Sequence, residues 1–411
     1  MTESNYFKNI EEIDTNTLHF DIHNIDLSLV NALRRIIMSE VPTVGFRTEP
    51  YEKSNVKIIT NTSSLHNEFI SHRFGMIPIH IKNVDIYNND EYKFILNVTN
   101  ETSEIIDVTT KDIQVLKINR AKNEYEKISD EDRNALFPPD PISKNHILIN
   151  RLKPDTSGQD IGEVLHIEAT AVVSNGQENA RWSPVSQVSF TNKVDTEKTD
   201  KVLLQLKNDY KSKNNIDTLS PLSPQIEKGI EHRFNIFEAN RHFHVNSKNE
   251  PNIFEFKIES IGVLNPKVIF IKALDILKTK INTFLINLNN DSDIVTIKES
   301  NNLQNTIDIE VLNENHTLGN LIQSHFNYYD ELNEKNFCKD KDNINYIGYY
   351  EPHPLDDKII LRIGLKKSYE KNLESSGTQY DRISNIKNII ETCLKNIMNL
   401  CGKLGDNFEK L

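Results

Sequence analysis

One short pattern occurs twice in this 411-residue chain, far apart and in the same register. The first copy is Leu18-His19-Phe20-Asp21-Ile22, then Asp26-Leu27-Ser28-Leu29-Val30-Asn31-Ala32-Leu33-Arg34-Arg35-Ile36-Ile37. The second is Ile307-Asp308-Ile309-Glu310-Val311, then Asn315-His316-Thr317-Leu318-Gly319-Asn320-Leu321-Ile322-Gln323-Ser324-His325-Phe326. Asn31 falls on Asn320, an offset of 289 positions that holds without a gap through both segments. Leu18, Phe20 and Ile22 fall on Ile307, Ile309 and Val311. The alternating residues read as a half-buried strand, and the apolar spacing after them reads as an amphipathic helix. Two units that each carry one apolar face can bury those faces on one another. The chain therefore reads as an internal pseudo-dimer, which suggests a scaffold before it suggests an active site.

Asp26 or Ser28 can cap the first helix by accepting a bond from a free backbone N–H. Leu27, Val30, Leu33, Ile37 and Val41 recur at helical spacing until Pro42, with Arg34 and Arg35 toward the opposite face. From residue 48 the pattern changes. Ser63 and Ser64 cap a short helix through Leu65, Phe69, Ile70 and Phe74, stopped by Gly75. Alternating runs at 94–98, 113–118 and 164–169 predict an antiparallel sheet. Between Thr191 and Lys228 the chain is polar and holds Pro221 and Pro224, which reads as a long surface excursion.

The first module resumes near Pro251. Phe254, Phe256 and Ile258 alternate, and Asn265-Pro266 opens a long helix. Its seam is Phe270, Leu274, Leu277, Ile281, Phe284 and Leu288. In the second half, Ile359, Leu361, Ile363 and Leu365 form a strand, and Asp381 precedes a helix with Ile383, Ile386, Ile390, Cys393, Ile397, Leu400 and Leu404. Both seams have the heptad-like spacing of helices packed along a partner, and they invite pairing with each other. Each half reads strand, helix, strand, long helix, and the second crosses its gap by a short route near Asp330 to Tyr346. The predicted class is α+β. Residues 1–47 with 251–292 form one module, 293–411 the other, and 48–250 a mainly β domain inserted in the first. Pairing is expected through Phe270, Leu274, Leu277, Ile281, Phe284, Leu318, Leu321, Ile322, Ile390, Ile397 and Leu404.

A net charge of −12 argues against a surface built wholly for nucleic acid. Cys338, Cys393 and Cys401 form no CxxC pair, so a reducing compartment is the simple reading. No apolar run has membrane-spanning length and no signal-peptide core follows Met1, so an intracellular protein without membrane contact is expected. No P-loop, GxSxG or HExxH motif is present, and no catalytic residue is predicted. His232, His242 and His244 invite a metal hypothesis, but the HxH pair lacks cysteines and a matched second pair, so no metal is predicted. His316 and His353 read as turn and capping residues. Cys393 and Cys401 lie on the apolar seam and read as packing. Trp182 is either a core residue or a partner anchor.

Several runs together resemble the alpha-like assembly subunits of cellular RNA polymerases. Asn31-Ala32-Leu33-Arg34-Arg35, Val41-Pro42-Thr43, the stretch from Asn61 to Arg73, Gly75-Met76-Ile77-Pro78-Ile79 and Ala180-Arg181-Trp182-Ser183-Pro184-Val185 are similar to RNA polymerase II subunit 3, the archaeal D subunit. His316-Thr317-Leu318-Gly319-Asn320-Leu321-Ile322 and Gly348-Tyr349-Tyr350-Glu351-Pro352-His353-Pro354-Leu355 are similar to subunit 11, the archaeal L subunit. The resemblance implies a heterodimer equivalent to the bacterial alpha dimer, here on one chain. It implies a non-catalytic scaffold that seats two large catalytic subunits beside small subunits resembling subunits 10 and 12. DNA would be met only through the complex.

The resemblance also turns Asn31, Arg34, Arg35, His72 and Arg73 from a solvated face into expected large-subunit docking residues, since arginine's fork suits carboxylates. Many relatives hold a metal on cysteines of the inserted domain. Residues 48–250 contain none, so no cofactor is carried over. Fusions of this kind resemble those of large DNA viruses, which implies viral transcription in the host cytoplasm and packaging in the virion. Two other readings are an enzyme with an acidic cleft in the inserted domain, which catalysis by the isolated chain would favour, and a free-standing regulatory adaptor, which would not be stoichiometric with the polymerase.

Overall fold

A computed structural model describes residues 6–120, 122–155, 162–217, 220–290, 292–300, 303, 306–328, 344–366 and 379–410. Cys338 and most of the crossing from Asp330 to Tyr346 lie outside them. Contacts divide the chain into two compact units. The first holds Met1–Ile36, Val188–Ile258 and Phe270–Leu411, and the second Ile37–Gln187 and Glu259–Ile269. Among the described residues no helix is long and apolar enough to cross a membrane. The class is α+β.

Two four-stranded sheets carry the repeat. One is ordered β1 (Phe7–Glu12), β2 (Thr17–His23), β13 (Ile253–Ser260), β12 (Val185–Asn192). The other is ordered β14 (Val295–Glu299), β15 (Thr306–Leu312), β17 (Lys358–Leu365), β16 (Ile344–Tyr350). Each is an edge strand, the repeat strand, the strand before the long helix, and the strand before that one. The outer two strands of both sheets were not read from the sequence. β1 is broken by a register shift between Lys8 and Glu11, where Asn9 has a φ of 49°. A bulge of this kind erases the period-two signal.

The turn from strand to helix is also repeated. Asn24 and Asn313, again 289 positions apart, both adopt left-handed backbone, with φ of 56° and 59°. Asparagine tolerates that region better than most residues. Two residues on, Asp26 caps α1 (Leu27–Ser39) by accepting the Ser28 N–H at 2.9 Å. Asn315 caps α7 (His316–Tyr328) by accepting the Thr317 N–H at 2.9 Å. Leu27, counted on the apolar stripe of α1 from its spacing, is 41 % exposed, because the buried stripe is Leu29, Val30, Leu33, Ile36 and Ile37. Each half ends in a long helix, α6 (Pro266–Asn289) and α8 (Gln379–Glu409). The polar segment from Thr191 to Lys228 is not structureless. It contains α4 (Thr196–Lys213) and opens α5 (Pro224–Phe237), held together by Lys207 Nζ at 2.7 Å from Glu227 and 2.6 Å from Glu231. α4 buries no residue, so it lacks the apolar stripe that marks a helix in sequence.

The second unit is mainly β. Its five-stranded antiparallel sheet is ordered β4 (Val56–Asn61), β10 (Val164–Ala169), β5 (Tyr92–Thr99), β7 (Ile113–Asn119), β8 (Glu124–Lys127). Two ribbons accompany it, β3 (Thr43–Gly45) with β11 (Val172–Ser174), and β6 (Ile106–Thr109) with β9 (Leu148–Leu152). α2 (Asn67–Gly75) and the short α3 (Asp130–Leu136) complete it. The cap of α2 is not Ser63 or Ser64. His66 accepts the Glu68 N–H through Nδ1 at 3.4 Å, while Ser63 bonds the Asn61 carboxamide. Phe46, Phe74 and Phe94 meet in the core with ring centroids 4.7 and 5.0 Å apart.

Candidate functional site: the module-pairing interface

The repeat predicts helices in equivalent places, and the structure joins them reciprocally. Arg35 Nε, late in α1, donates to Thr317 Oγ1 at the start of α7, at 2.8 Å. Ser324 Oγ, late in α7, donates to Asp26 Oδ2 at the start of α1, at 2.9 Å. The two helices therefore run antiparallel. The 289-residue offset maps Arg35 on Ser324 and Ser28 on Thr317, and Asp26 also accepts from the Ser28 hydroxyl. The two contacts are alike in placement without being identical. The counterpart of Arg35–Thr317 is Ser324–Ser28, and Ser324 instead bonds Asp26, the carboxylate that Ser28 itself bonds. This is an approximate pseudo-twofold arrangement of the kind found in isologous dimer interfaces. His325 is fully buried here and bonds the Leu321 carbonyl through Nδ1 at 3.1 Å. Burial pushes its pKa down, and the Asp26 carboxylate opposes that shift.

The signatures of the second half build the receptacle for Arg35. Tyr349 lies against Gly319 so closely that a Cβ there would come within 2.5 Å of its ring. Gln323 Oε1 accepts the Tyr349 N–H at 3.0 Å. Burial raises the Tyr349 pKa, and the nearby Arg35 charge works against that rise. His316 meets Glu351 at 2.8 Å and the Tyr349 ring edge-on at 5.7 Å, contacts across the fold rather than the expected cap, while His353 Nδ1 accepts the Leu355 N–H at 3.1 Å, a turn contact as expected.

The long helices join at their ends. Phe408 of α8 sits 4.5 Å from Phe270 of α6, 4.9 Å from Phe7 and 5.3 Å from Phe20, centroid to centroid. Leu274, Leu277, Ile281, Phe284, Leu318, Leu321, Ile322, Ile390, Ile397 and Leu404 are buried, as is Phe270. Phe408 lies beyond the seam read from the sequence, four residues after Leu404 and so on the same face of α8. Cys393 and Cys401 are buried on that seam, where burial pushes the Cys401 thiol up to about 12.

The other singled-out residues fall as follows. Asn31 Oδ1 accepts from Arg34 Nε at 3.1 Å, and partial burial together with Arg35 lowers the Arg34 pKa. Arg34 and Arg35 are both half-buried. His72 and Arg73 are exposed on α2, with Arg73 Nη2 donating to the Leu148 carbonyl at 3.1 Å. His242 stacks on Phe234 at 6.1 Å, and His244 lies 3.7 Å from Asp195. Among the described residues no group of three or more His, Cys, Asp or Glu is placed to hold a metal. Trp182 is 1 % exposed, which makes it a core residue. The sequence reading missed Asp26, Thr317, Ser324 and Tyr349 as pairing residues. The offset itself was the signal that could have found Thr317 and Ser324, the counterparts of Ser28 and Arg35, whereas Asp26 has Asn315 as its counterpart.

Residues 19–119 and residues 306–407 each match the RNA polymerase Rpb3/Rpb11 dimerisation domain. The chain is 27 % identical over 308 residues to the human DNA-directed RNA polymerases I and III subunit RPAC1, covering 69 % of this chain and 84 % of that protein. It is 24 % identical over 315 residues to the Arabidopsis thaliana DNA-directed RNA polymerases IV and V subunit 3B, covering 68 % and 90 %. A Tetrahymena thermophila conjugation stage-specific protein is 29 % identical over 195 residues, covering 44 % of this chain and 57 % of that protein. The first match takes in β2 and α1 and the second β15, α7, β17 and α8, so this chain carries two RNA polymerase Rpb3/Rpb11 dimerisation domains, one in each half.

Proposed function

We propose that the chain is a non-catalytic assembly subunit of a multisubunit DNA-directed RNA polymerase, an alpha-dimer equivalent folded from one polypeptide. The observation that carries this reading is the reciprocal pair Arg35–Thr317 and Ser324–Asp26, set between two sheets of the same strand order. The modules of this reading are residues 1–47 with 251–292 and residues 293–411, and the inserted domain is 48–250. Its partners are the two large catalytic subunits and small subunits of the subunit 10 and 12 kind, with DNA reached through the complex. Docking falls to Asn31, Arg34, Arg35, His72 and Arg73. Arg35 has a double task, since its Nε already serves the internal interface. The fusion of both partners on one chain supports a virus-encoded polymerase working in the host cytoplasm.

A gentle pull-down of the tagged full-length chain tests the reading. Two very large partners at one copy each are expected, and catalysis by the chain alone would count against it. Arg34→Glu is expected to leave the chain folded and to weaken association by about 2–5 kcal/mol, the range for a desolvated charge contact. Arg35→Glu is expected to weaken association and internal pairing together. Wild-type association of both variants would remove the docking assignment.

A further inference from the structure

Three separated sequence runs in the second unit meet at one tight turn. Ala180–Trp182 forms a single 3-10 turn, capped by the Asn179 side chain, which accepts the Arg181 N–H at 3.1 Å. Its two large side chains fill two glycine notches. Trp182 covers Gly45, where an added Cβ would come within 2.8 Å of the indole Nε1. Thr43 Oγ1 donates to the Trp182 carbonyl at 2.8 Å, which fixes the turn on β3. Arg181 covers Gly75, the last residue of α2. A Cβ on Gly75 would collide with the guanidinium Nη1 and come within 3.0 Å of Thr48. The same Nη1 donates to Thr48 Oγ1 and, at 3.4 Å, to the Phe46 carbonyl.

Arg181 is a costly group to place there. Its side chain is 3 % exposed, its Nε makes no hydrogen bond, and the nearest carboxylate, Glu49, stands at 3.9 Å. Burying a guanidinium with so little compensation is unfavourable. A plain hydrophobic residue would fill a core position with less penalty. What the guanidinium adds is a rigid planar tip that can lie on the bare backbone of Gly75 and bond both Thr48 and Phe46.

We propose that Arg181 is a positioning residue for α2. It locks the C-terminal end of that helix against the segment from Phe46 to Thr48, and so fixes the exposed His72-Arg73 pair one turn earlier for docking a large subunit. The inference rests on the docking role given above to His72 and Arg73. Gly75 is the complementary half of the device. Its side must stay empty for the guanidinium to seat.

The test uses the full-length chain co-expressed with its large subunits, with retained partner as the readout. Trp182 is the chain's single tryptophan and Arg181 Cζ lies 5.7 Å from its ring, so indole emission reports the turn independently of assembly. Gly75→Ala is expected to displace the guanidinium, shift the emission and weaken association about tenfold or more, the size of one strong interface contact. Adding Arg181→Lys is expected to restore part of the association, because lysine lacks the guanidinium fork that meets the new methyl while its ammonium can still donate to Thr48 Oγ1. Arg181→Met is expected to weaken association while circular dichroism and the melting profile keep a folded chain. Association that falls only in step with unfolding, without rescue in the Gly75→Ala, Arg181→Lys pair, would overturn the proposal. So would wild-type association of both Gly75→Ala and Arg181→Met beside a defective His72→Glu, Arg73→Glu double variant. Wild-type association of that last variant would overturn the docking reading itself, and this inference with it.

Discussion

The two repeat sheets share strand order, turn conformation and cap, yet they are furnished differently. The first faces its helices with rings: Phe20 lies 5.2 Å from Phe270 and 5.4 Å from Phe256. The second pairs Ile307 with Ile363, Ile309 with Leu361 and Val311 with Ile359, an aliphatic face throughout. On the outer face, Asp21 and Glu310 occupy equivalent positions. Asp21 is 4 % exposed, bonded by Lys193 and, at 2.6 Å, by Asn9. Glu310 is half-buried between Lys298 at 3.2 Å and Lys358 at 3.1 Å, and those two bonds lower its pKa. Topology has been kept while interior volume and polarity have diverged. The halves are thus complements rather than copies, and Phe408 makes the point directly, since the last helix of the aliphatic half plugs the aromatic cluster of the other.

The strongest way to break that complementarity is to charge a seam. Leu277→Asp and Ile397→Asp should each cost about 4 kcal/mol or more, since an unpaired carboxylate would be buried. If the two positions share an interface, the double variant should fall short of the sum by roughly 1 kcal/mol or more in urea unfolding. Next comes Phe408→Ala, expected to cost about 3–5 kcal/mol. It should couple to Phe7→Ala, which touches the same ring, and not to Ile309→Val, expected to cost only about 1 kcal/mol. Independent costs for Phe408 and Phe7 would show that the plug is not what joins the halves.

Smaller effects sharpen the comparison. Arg35→Ala and its counterpart Ser324→Ala each remove a charge-assisted bond, one with a charged donor and one with the Asp26 carboxylate as acceptor. Arg35→Ala should cost the more, about 3 kcal/mol against about 1.5 kcal/mol, since the longer side chain also loses packing. Equal costs would mean that the asymmetry between the two ends of the pseudo-twofold carries no energy. The least effect is on pH dependence. Burial holds His325 neutral, with its pKa below the ordinary 6.5. In the unfolded chain it takes a proton near that ordinary value. Its contribution to stability is therefore full above about pH 6.5 and declines as pH falls below it. Chemical denaturation at pH 7.5 and 5.5 should show a smaller decline for His325→Gln than for wild type. An unchanged decline would assign the dependence to other histidines, such as His23 or His80, whose pKa values are also lowered by burial.

Much of this architecture was legible because its strongest signals are local. β2, α1, β15 and α7 announce themselves by period and by their shared offset, and Pro266 marks the start of α6. What stayed hidden depends on residues far apart in the chain. β1 is bulged at Asn9, α4 packs by ion pairs rather than an apolar stripe, and the three rings that Phe408 meets come from three separate elements of the other half. The His72-Arg73 pair was visible as a motif. Its tie to Gly75 and Arg181 was not, because a glycine notch and the side chain that fills it leave no common period in the sequence.

The link between the halves has a further consequence. α6 ends at Asn289 and β14 begins at Val295. A heterodimer made from two polypeptides must find its partner in a crowded cell, at a rate that depends on how much of each is made. Here the encounter is first order, and dilution cannot slow it. Neither half can be synthesised in excess of the other, so no orphan half accumulates with a bare apolar seam. Dosage of the scaffold is set by one message, and whatever builds on it begins from an intact platform each time the chain is finished.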